Sequence, residues 1–112
     1  TLFVGQGSTL YSIDIATPAS PLILGSLSVG GTLNDIALNL GNGADYLFVA
    51  TSDPNNEFKV IDVRLPAAPV IFGQADLTGS SPLLGAAYDT TLDRAFLVGQ
   101  SAAAELMIMM PH

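Results

Sequence analysis

The chain of 112 residues contains no cysteine and no tryptophan, one histidine and only three basic residues. Without cysteine there is no disulfide framework, no thiolate metal site and no cysteine nucleophile. A surface that binds phosphates needs several clustered Lys or Arg side chains, whereas Lys59, Arg64 and Arg94 stand against ten acidic residues. The net charge of −7 therefore excludes nucleic acid as an expected partner and disfavours an anionic membrane surface.

Long apolar runs are also missing. The most apolar stretches, such as Leu33–Leu40, are interrupted by polar residues and fall short of the ~20 residues that a membrane-spanning helix needs. No membrane span is therefore predicted. Apolar residues nevertheless make up 49% of the chain and charged residues 12%, which predicts a folded domain rather than a disordered chain.

An internal repeat is the strongest pattern in the sequence. The segments Ile13–Gly25 and Ile61–Gly73 align at a constant offset of 48 residues, and seven of the thirteen positions are identical. Self-similarity of this kind is typical of architectures in which one small structural unit recurs. The shared frame of one aspartate, two prolines and one glycine occupies Asp14, Pro18, Pro21, Gly25, Asp62, Pro66, Pro69 and Gly73.

Each unit consists of short strand-like segments. Val, Ile, Leu, Phe and Tyr cluster in short runs that are bounded by Gly, Pro, Asn and Asp, and ten strands are predicted in this way. The proline pairs mark strand breaks, because proline fixes φ and lacks the N–H that a sheet ladder needs. Residues Ser101–Met107 also fit the start of a helix with Ser101 as its N-cap, but the repeat register favours a strand.

Four short antiparallel strands in roughly 45 residues are typical of one blade of a β-propeller. The segment Phe58–Gly73 has the pattern Phe-x-Val-Ile-Asp-Val-x-x-Pro-x-x-Pro-x-x-x-Gly, which resembles the LVIVD-type β-propeller repeat, and Leu10–Gly25 fits the same pattern. The resemblance covers most of Thr1–Gly99, whereas no Pro-x-x-Pro follows the last predicted strand. The expected fold class is all-β, with antiparallel four-stranded propeller blades.

The predicted units divide a single repeat domain, residues 1–112, into three parts: a partial blade at 1–33, a complete blade at 34–81 and a partial blade at 82–112. Closed propellers need roughly four to eight blades. We therefore expect an incomplete ring or an open β-sheet arc, whose partners are the rest of a longer polypeptide or further copies of the chain. A collapse of the ten strands into a sandwich or barrel is the alternative.

The resemblance implies a bacterial surface or secreted repeat protein that binds or displays rather than catalyses. We expect a scaffold or protein-interaction surface, extracellular or on the cell surface, that uses no cofactor. One alternative is a homo-oligomeric filament or appendage subunit joined by edge strands. The other is a fragment of a propeller-type hydrolase, for which Asn34, Asp35 and Asp89 are the only candidates at the ends of inner strands.

The remaining polar residues offer little chemistry. Asp14 and Asp62 are expected to accept backbone N–H groups in Asx-turns before the proline pairs. Asp53, Asn55 and Glu57 place oxygen atoms at alternate positions and form a weak calcium candidate, since Ca²⁺ takes six to eight oxygen ligands. A solvated hairpin loop is the simpler interpretation of these three residues, and no catalytic residue is predicted.

Overall fold

A computed structural model describes residues 1–39, 45–76, 82–99 and 106–109 of the chain. These residues form ten strands and no helix, which confirms the predicted all-β, antiparallel fold class for the part described. The strands are β1 (Leu2–Gln6), β2 (Thr9–Asp14), β3 (Leu22–Ser28), β4 (Leu33–Asn39), β5 (Tyr46–Thr51), β6 (Phe58–Asp62), β7 (Val70–Ala75), β8 (Leu83–Asp89), β9 (Arg94–Gly99) and β10 (Leu106–Met109).

The strands form three separate sheets. The first sheet has the order β1-β2-β3, the middle sheet β4-β5-β6-β7 and the last sheet β8-β9-β10, and every neighbouring pair is antiparallel. Each sheet is a meander in chain order, and none of the three closes into a barrel. The described residues include no helix that is long and apolar enough to cross a membrane.

The strand breaks follow the proline pairs. Pro18 and Pro21 lie between β2 and β3, and Pro66 and Pro69 lie between β6 and β7. Both hairpins carry an irregularity in register, between Ser12 and Ile13 in one and between Val60 and Ile61 in the other. The ambiguous segment ends in a strand over Leu106–Met109, and residues 101–105 lie outside the described part of the chain.

Strands β4, β5 and β6 of the middle sheet are covered on both faces, and we call these two contacts the first and second junctions. At the first junction, Leu47, Val49, Ile61 and Val63 of the middle sheet pack with Leu10 and Val29. At the second junction, Phe48, Ala50, Phe58 and Val60 pack with Leu83, Ala95 and Leu97 of the last sheet. Burial of each large apolar side chain stabilises the fold by about 1.5–3 kcal/mol.

The alternation of side chains along β5 explains this double burial. Successive residues of a strand point to opposite faces, so Leu47 and Val49 reach the first junction while Phe48 and Ala50 reach the second. Aromatic contacts fix the second junction further, with the ring centroid of Phe48 4.8 Å from that of Tyr88. The four residues of β5 that reach the two junctions are accordingly all apolar, and the buried Thr51 that ends the strand donates its hydroxyl to the Glu57 carbonyl at 3.1 Å.

Candidate functional site

One of the three predicted calcium residues is paired with a positive charge from the chain itself. Asp53 and Glu57 are buried, whereas Asn55 is exposed. The Oδ2 atom of Asp53 accepts a hydrogen bond from Lys59 Nζ at 2.8 Å, and its Oδ1 atom accepts the Asn55 N–H at 2.9 Å. The Asp53 carboxylate is therefore already paired with an ammonium group. The described residues contain no group of three or more His, Cys, Asp or Glu that could hold a metal ion.

Lys59 is the centre of a buried polar cluster at the first junction. Its side chain is 2% exposed, and its Nζ atom also donates to Gln74 Oε1 at 2.9 Å. The link between β3 and β4 lies directly against this cluster, because a Cβ atom on Gly31 would fall 2.5 Å from the Asp53 backbone nitrogen. Only the glycine pair Gly30–Gly31 lets the two segments approach so closely.

The ion pair also controls the ionisation of Asp53. The hydrogen bond from Lys59, together with the backbone N–H of Asn55, lowers the pKa of the Asp53 carboxyl from its usual 3.8. A lowered pKa means that the carboxylate contributes stability above the ordinary value and loses that contribution as the pH falls through the lowered one. Sequence reasoning missed this cluster, and the only available signal was one lysine between apolar residues of β6.

Two of the three residues proposed for hydrolase chemistry hold sheets together. Asn34 Nδ2 donates to the Leu83 carbonyl at 2.8 Å, and Asp35 Oδ2 accepts the Ala86 N–H at 3.0 Å. The other Asp35 oxygen accepts the N–H of Ile36 at 2.9 Å. Since Leu83 and Ala86 belong to β8, both side chains connect the middle sheet to the backbone of the last sheet.

Asp89 makes its hydrogen bonds at a different part of β8. Its Oδ1 atom accepts the N–H groups of Thr91 and Leu92, at 2.8 and 3.1 Å, and so closes the turn between β8 and β9. Asp89 follows Ala86 by three residues, which is about 10 Å along an extended strand. The two carboxylates are therefore engaged at different points of β8 and do not form a pair in their described contacts.

Asp14 and Asp62 bind their own turns, as Asx-turns require. Asp14 Oδ1 accepts the Ala16 N–H at 2.9 Å, and Asp62 Oδ1 accepts the Arg64 N–H at 3.0 Å. The Arg64 guanidinium adds a forked contact to Asp62, with its Nη2 atom 2.6 Å from Oδ2. This hydrogen bonding lowers the pKa of the Asp62 carboxyl, although the Arg64 side chain is 56% exposed.

A turn of the middle sheet lies on the first sheet. We call residues Leu65–Ala68 the proline turn. The Ser12 hydroxyl donates to the Pro66 carbonyl, and a Cβ atom on Gly25 would fall 2.5 Å from the Ala67 carbonyl oxygen. Gly73 lies 48 residues after Gly25, yet a Cβ atom there would meet nothing within 4 Å. The same frame glycine is thus covered in one sheet and open in the other.

The cavities of the described surface add no reactive cluster. One of about 260 Å³ lies beside Asp35, whose carboxylate oxygens both accept hydrogen bonds from backbone N–H groups. Another, of about 460 Å³, lies beside the Asp62–Arg64 pair and the proline turn. Neither brings together a nucleophile and a base among the described residues that line it.

Comparison of the chain with known proteins finds no match to any family model, curated protein or solved structure. The contacts of the described side chains are therefore the evidence for function.

Proposed function

We propose that the chain is a non-enzymatic scaffold and protein-interaction module, built of propeller-type blades that resemble the LVIVD repeat. In this proposal it belongs to a surface or secreted bacterial protein and stacks against the rest of a longer polypeptide or against further copies of itself. Three meandering sheets that pack face to face, with four strands in the middle one, support the blade interpretation. The register irregularities of the two proline hairpins, 48 residues apart, support it as well.

One observation carries the non-enzymatic part of the proposal. The Asp35 carboxylate, which a propeller-type hydrolase would need for chemistry, accepts backbone N–H groups with both oxygens, one of them from the last sheet. A carboxylate held in this way is a structural link.

The test compares stability with turnover in Asp35→Ala. We expect the wild-type chain to hydrolyse neither ester nor lactone substrates. We expect the variant to lose about 1–3 kcal/mol in free energy of unfolding, because the Ala86 N–H loses its acceptor. Asp14→Ala is the matched control, since it removes an aspartate whose described bond stays within its own turn, and its loss should be smaller.

The opposite result would refute the proposal. Hydrolysis by the wild-type chain that Asp35→Asn abolishes, with the free energy of unfolding unchanged, would favour the hydrolase alternative. The free energy of unfolding is obtained from urea denaturation monitored by far-ultraviolet circular dichroism. This measurement does not require tryptophan.

A further inference from the structure

The first sheet has an apolar face that points away from the middle sheet. Leu10 packs at the first junction, so the alternation of β2 places Tyr11 and Ile13 on the opposite face. In the same way Phe3 packs at the first junction, and Leu2 and Val4 point away from it. Leu2 pairs with Ile13, and Val4 pairs with Tyr11, which makes the patch continuous. We call these four residues the head face.

The last sheet has a matching apolar face that the described part of the chain leaves open. Ala95 and Leu97 pack at the second junction, so Phe96 and Val98 point away from the middle sheet. Their register partners on β10 are Ile108 and Leu106, which are 61% and 62% exposed. We call Phe96, Val98, Leu106 and Ile108 the tail face.

The strand pairing that forms the head face has a counterpart in the middle sheet of the same chain. Leu47 pairs with Ile61 in the middle sheet as Leu2 pairs with Ile13 in the first. Both middle-sheet residues are completely buried at the first junction. The other head-face pair, Val4 and Tyr11, corresponds to Val49 and Lys59. The head face therefore has the register of a face that is buried in the middle sheet, with Tyr11 in the place of Lys59.

The tail face has a counterpart too. Phe48 pairs with Val60, and Ala50 with Phe58, just as Phe96 pairs with Ile108 and Val98 with Leu106. All four middle-sheet residues are buried at the second junction. Within the chain, a face of the tail type packs on the sheet that follows it, and a face of the head type packs on the sheet that precedes it.

We infer that copies of this chain associate head to tail, with the tail face of one copy packed on the head face of the next. The inference rests on the proposed scaffold function and names its partner as a second copy. Each free face finds its complement at the other end of the same molecule, and none of the eight residues carries a charge. Contacts of this kind use two different surfaces and generate rings or open filaments.

The experiment uses the full chain and two charged variants. We expect the average mass of the wild-type chain, measured by light scattering, to rise with concentration. Val4→Glu should prevent association through the head face, and Ile108→Glu should prevent association through the tail face, because an unpaired carboxylate is costly to bury. Each variant alone should have the mass of one chain, whereas an equimolar mixture should form a complex of two chains, since one intact head and one intact tail remain.

Leu92→Glu is the control. Leu92 is also an exposed apolar residue, but it lies in the turn between β8 and β9, away from both faces, so this variant should associate like the wild type. Circular dichroism and thermal unfolding show whether each variant is folded. Should Val4→Glu fail to fold, Leu2→Glu tests the same face.

Three outcomes overturn the inference: a wild-type mass of one chain at every concentration, association that both face variants leave intact, and variants that do not complement each other. The second outcome would assign assembly to the strand edges. A monomeric chain in which Asp35→Ala is destabilising and no hydrolysis occurs leaves the scaffold proposal standing. Hydrolysis that depends on Asp35 refutes the scaffold proposal whatever the mass.

Discussion

Lys59 brings a positive charge into the contact between two apolar sheets, where its side chain is almost completely buried. Moving an ammonium group out of water costs several kcal/mol, and Asp53 and Gln74 offset that cost with an ion pair and a hydrogen bond. The net contribution of such a pair is small, but the loss of one partner is expensive, because the other charge stays buried. The cluster is thus a point at which a single substitution has a large effect.

Lys59→Met should lower the free energy of unfolding by about 3–5 kcal/mol, because it leaves the Asp53 carboxylate without its ammonium partner. Arg64→Met is the matched control, since it breaks an exposed and solvent-screened pair and should cost far less than Lys59→Met. Urea denaturation measures both. Adding Asp53→Ala to Lys59→Met should recover part of the loss, and equal losses in the two single variants would contradict this account.

Tyr88 is sensitive to alkaline pH. Its hydroxyl donates to Asp93 Oδ1, and this hydrogen bond, with burial and the nearby carboxylates, raises the pKa of Tyr88 to about 12. The ordinary value is 10.0, so the neutral phenol is favoured in the folded state. A raised pKa contributes stability that is complete below the ordinary value and is lost as the pH rises toward the raised one.

The wild-type chain should therefore lose free energy of unfolding between about pH 10 and pH 12 through Tyr88. Tyr88→Phe should be less stable near neutral pH by about 1–3 kcal/mol, and its alkaline loss should be shallower. Urea denaturation at a series of pH values compares the two chains. Identical alkaline slopes would show that the Tyr88 hydroxyl does not titrate with folding.

At the scale of the elements, the proline turn and the glycine beneath it form one contact. The Ala67 carbonyl occupies the space that a side chain at position 25 would fill. Gly73 has the same place in the repeat frame and open space above it in the described structure. Alanine substitutions at the two glycines therefore separate the steric effect of an added methyl group in the folded state from its effect on the unfolded chain.

Gly25→Ala should lower the free energy of unfolding by about 1–3 kcal/mol, since the proline turn must move to admit the Cβ atom. Gly73→Ala should be neutral or stabilising by up to about 1 kcal/mol, because alanine restricts the unfolded chain more than glycine does. Thermal unfolding of both variants checks this, and equal shifts would mean that the proline turn does not press on Gly25.

The elements also show how far the sequence could be interpreted. Asp14 and Asp62 accept N–H groups two residues ahead of them, and such local bonds follow from residue type and turn chemistry. The strands were predictable for the same reason, because apolar runs and prolines act locally. Gly25 and Ala67 are 42 residues apart, and Lys59 meets Gln74 across a hairpin. These contacts depend on how sheets and strands are placed, which no local pattern specifies.

At the scale of the whole molecule, the position of a sheet in the stack of three decides how deeply its residues are buried, even where two sheets have the same residues. The tripeptide Leu-Phe-Val occurs in β1 and again in β5. Leu2 is 44% exposed in the first sheet, whereas Leu47 is fully buried in the middle sheet. The predicted boundary between the first two units, at residue 34, falls one residue after the start of β4. The sequence was sufficient to locate the sheets along the chain. The burial of a residue, in contrast, depends on the order of the sheets in space.

The two junctions share an apolar core but differ in one buried charge pair. Apolar attraction weakens on cooling, so chilling loosens both contacts of the middle sheet. The contribution of the Lys59–Asp53 pair at the first junction also fades in acid, because Asp53 becomes protonated. The contact between the first and middle sheets is therefore acid-labile as well as cold-labile.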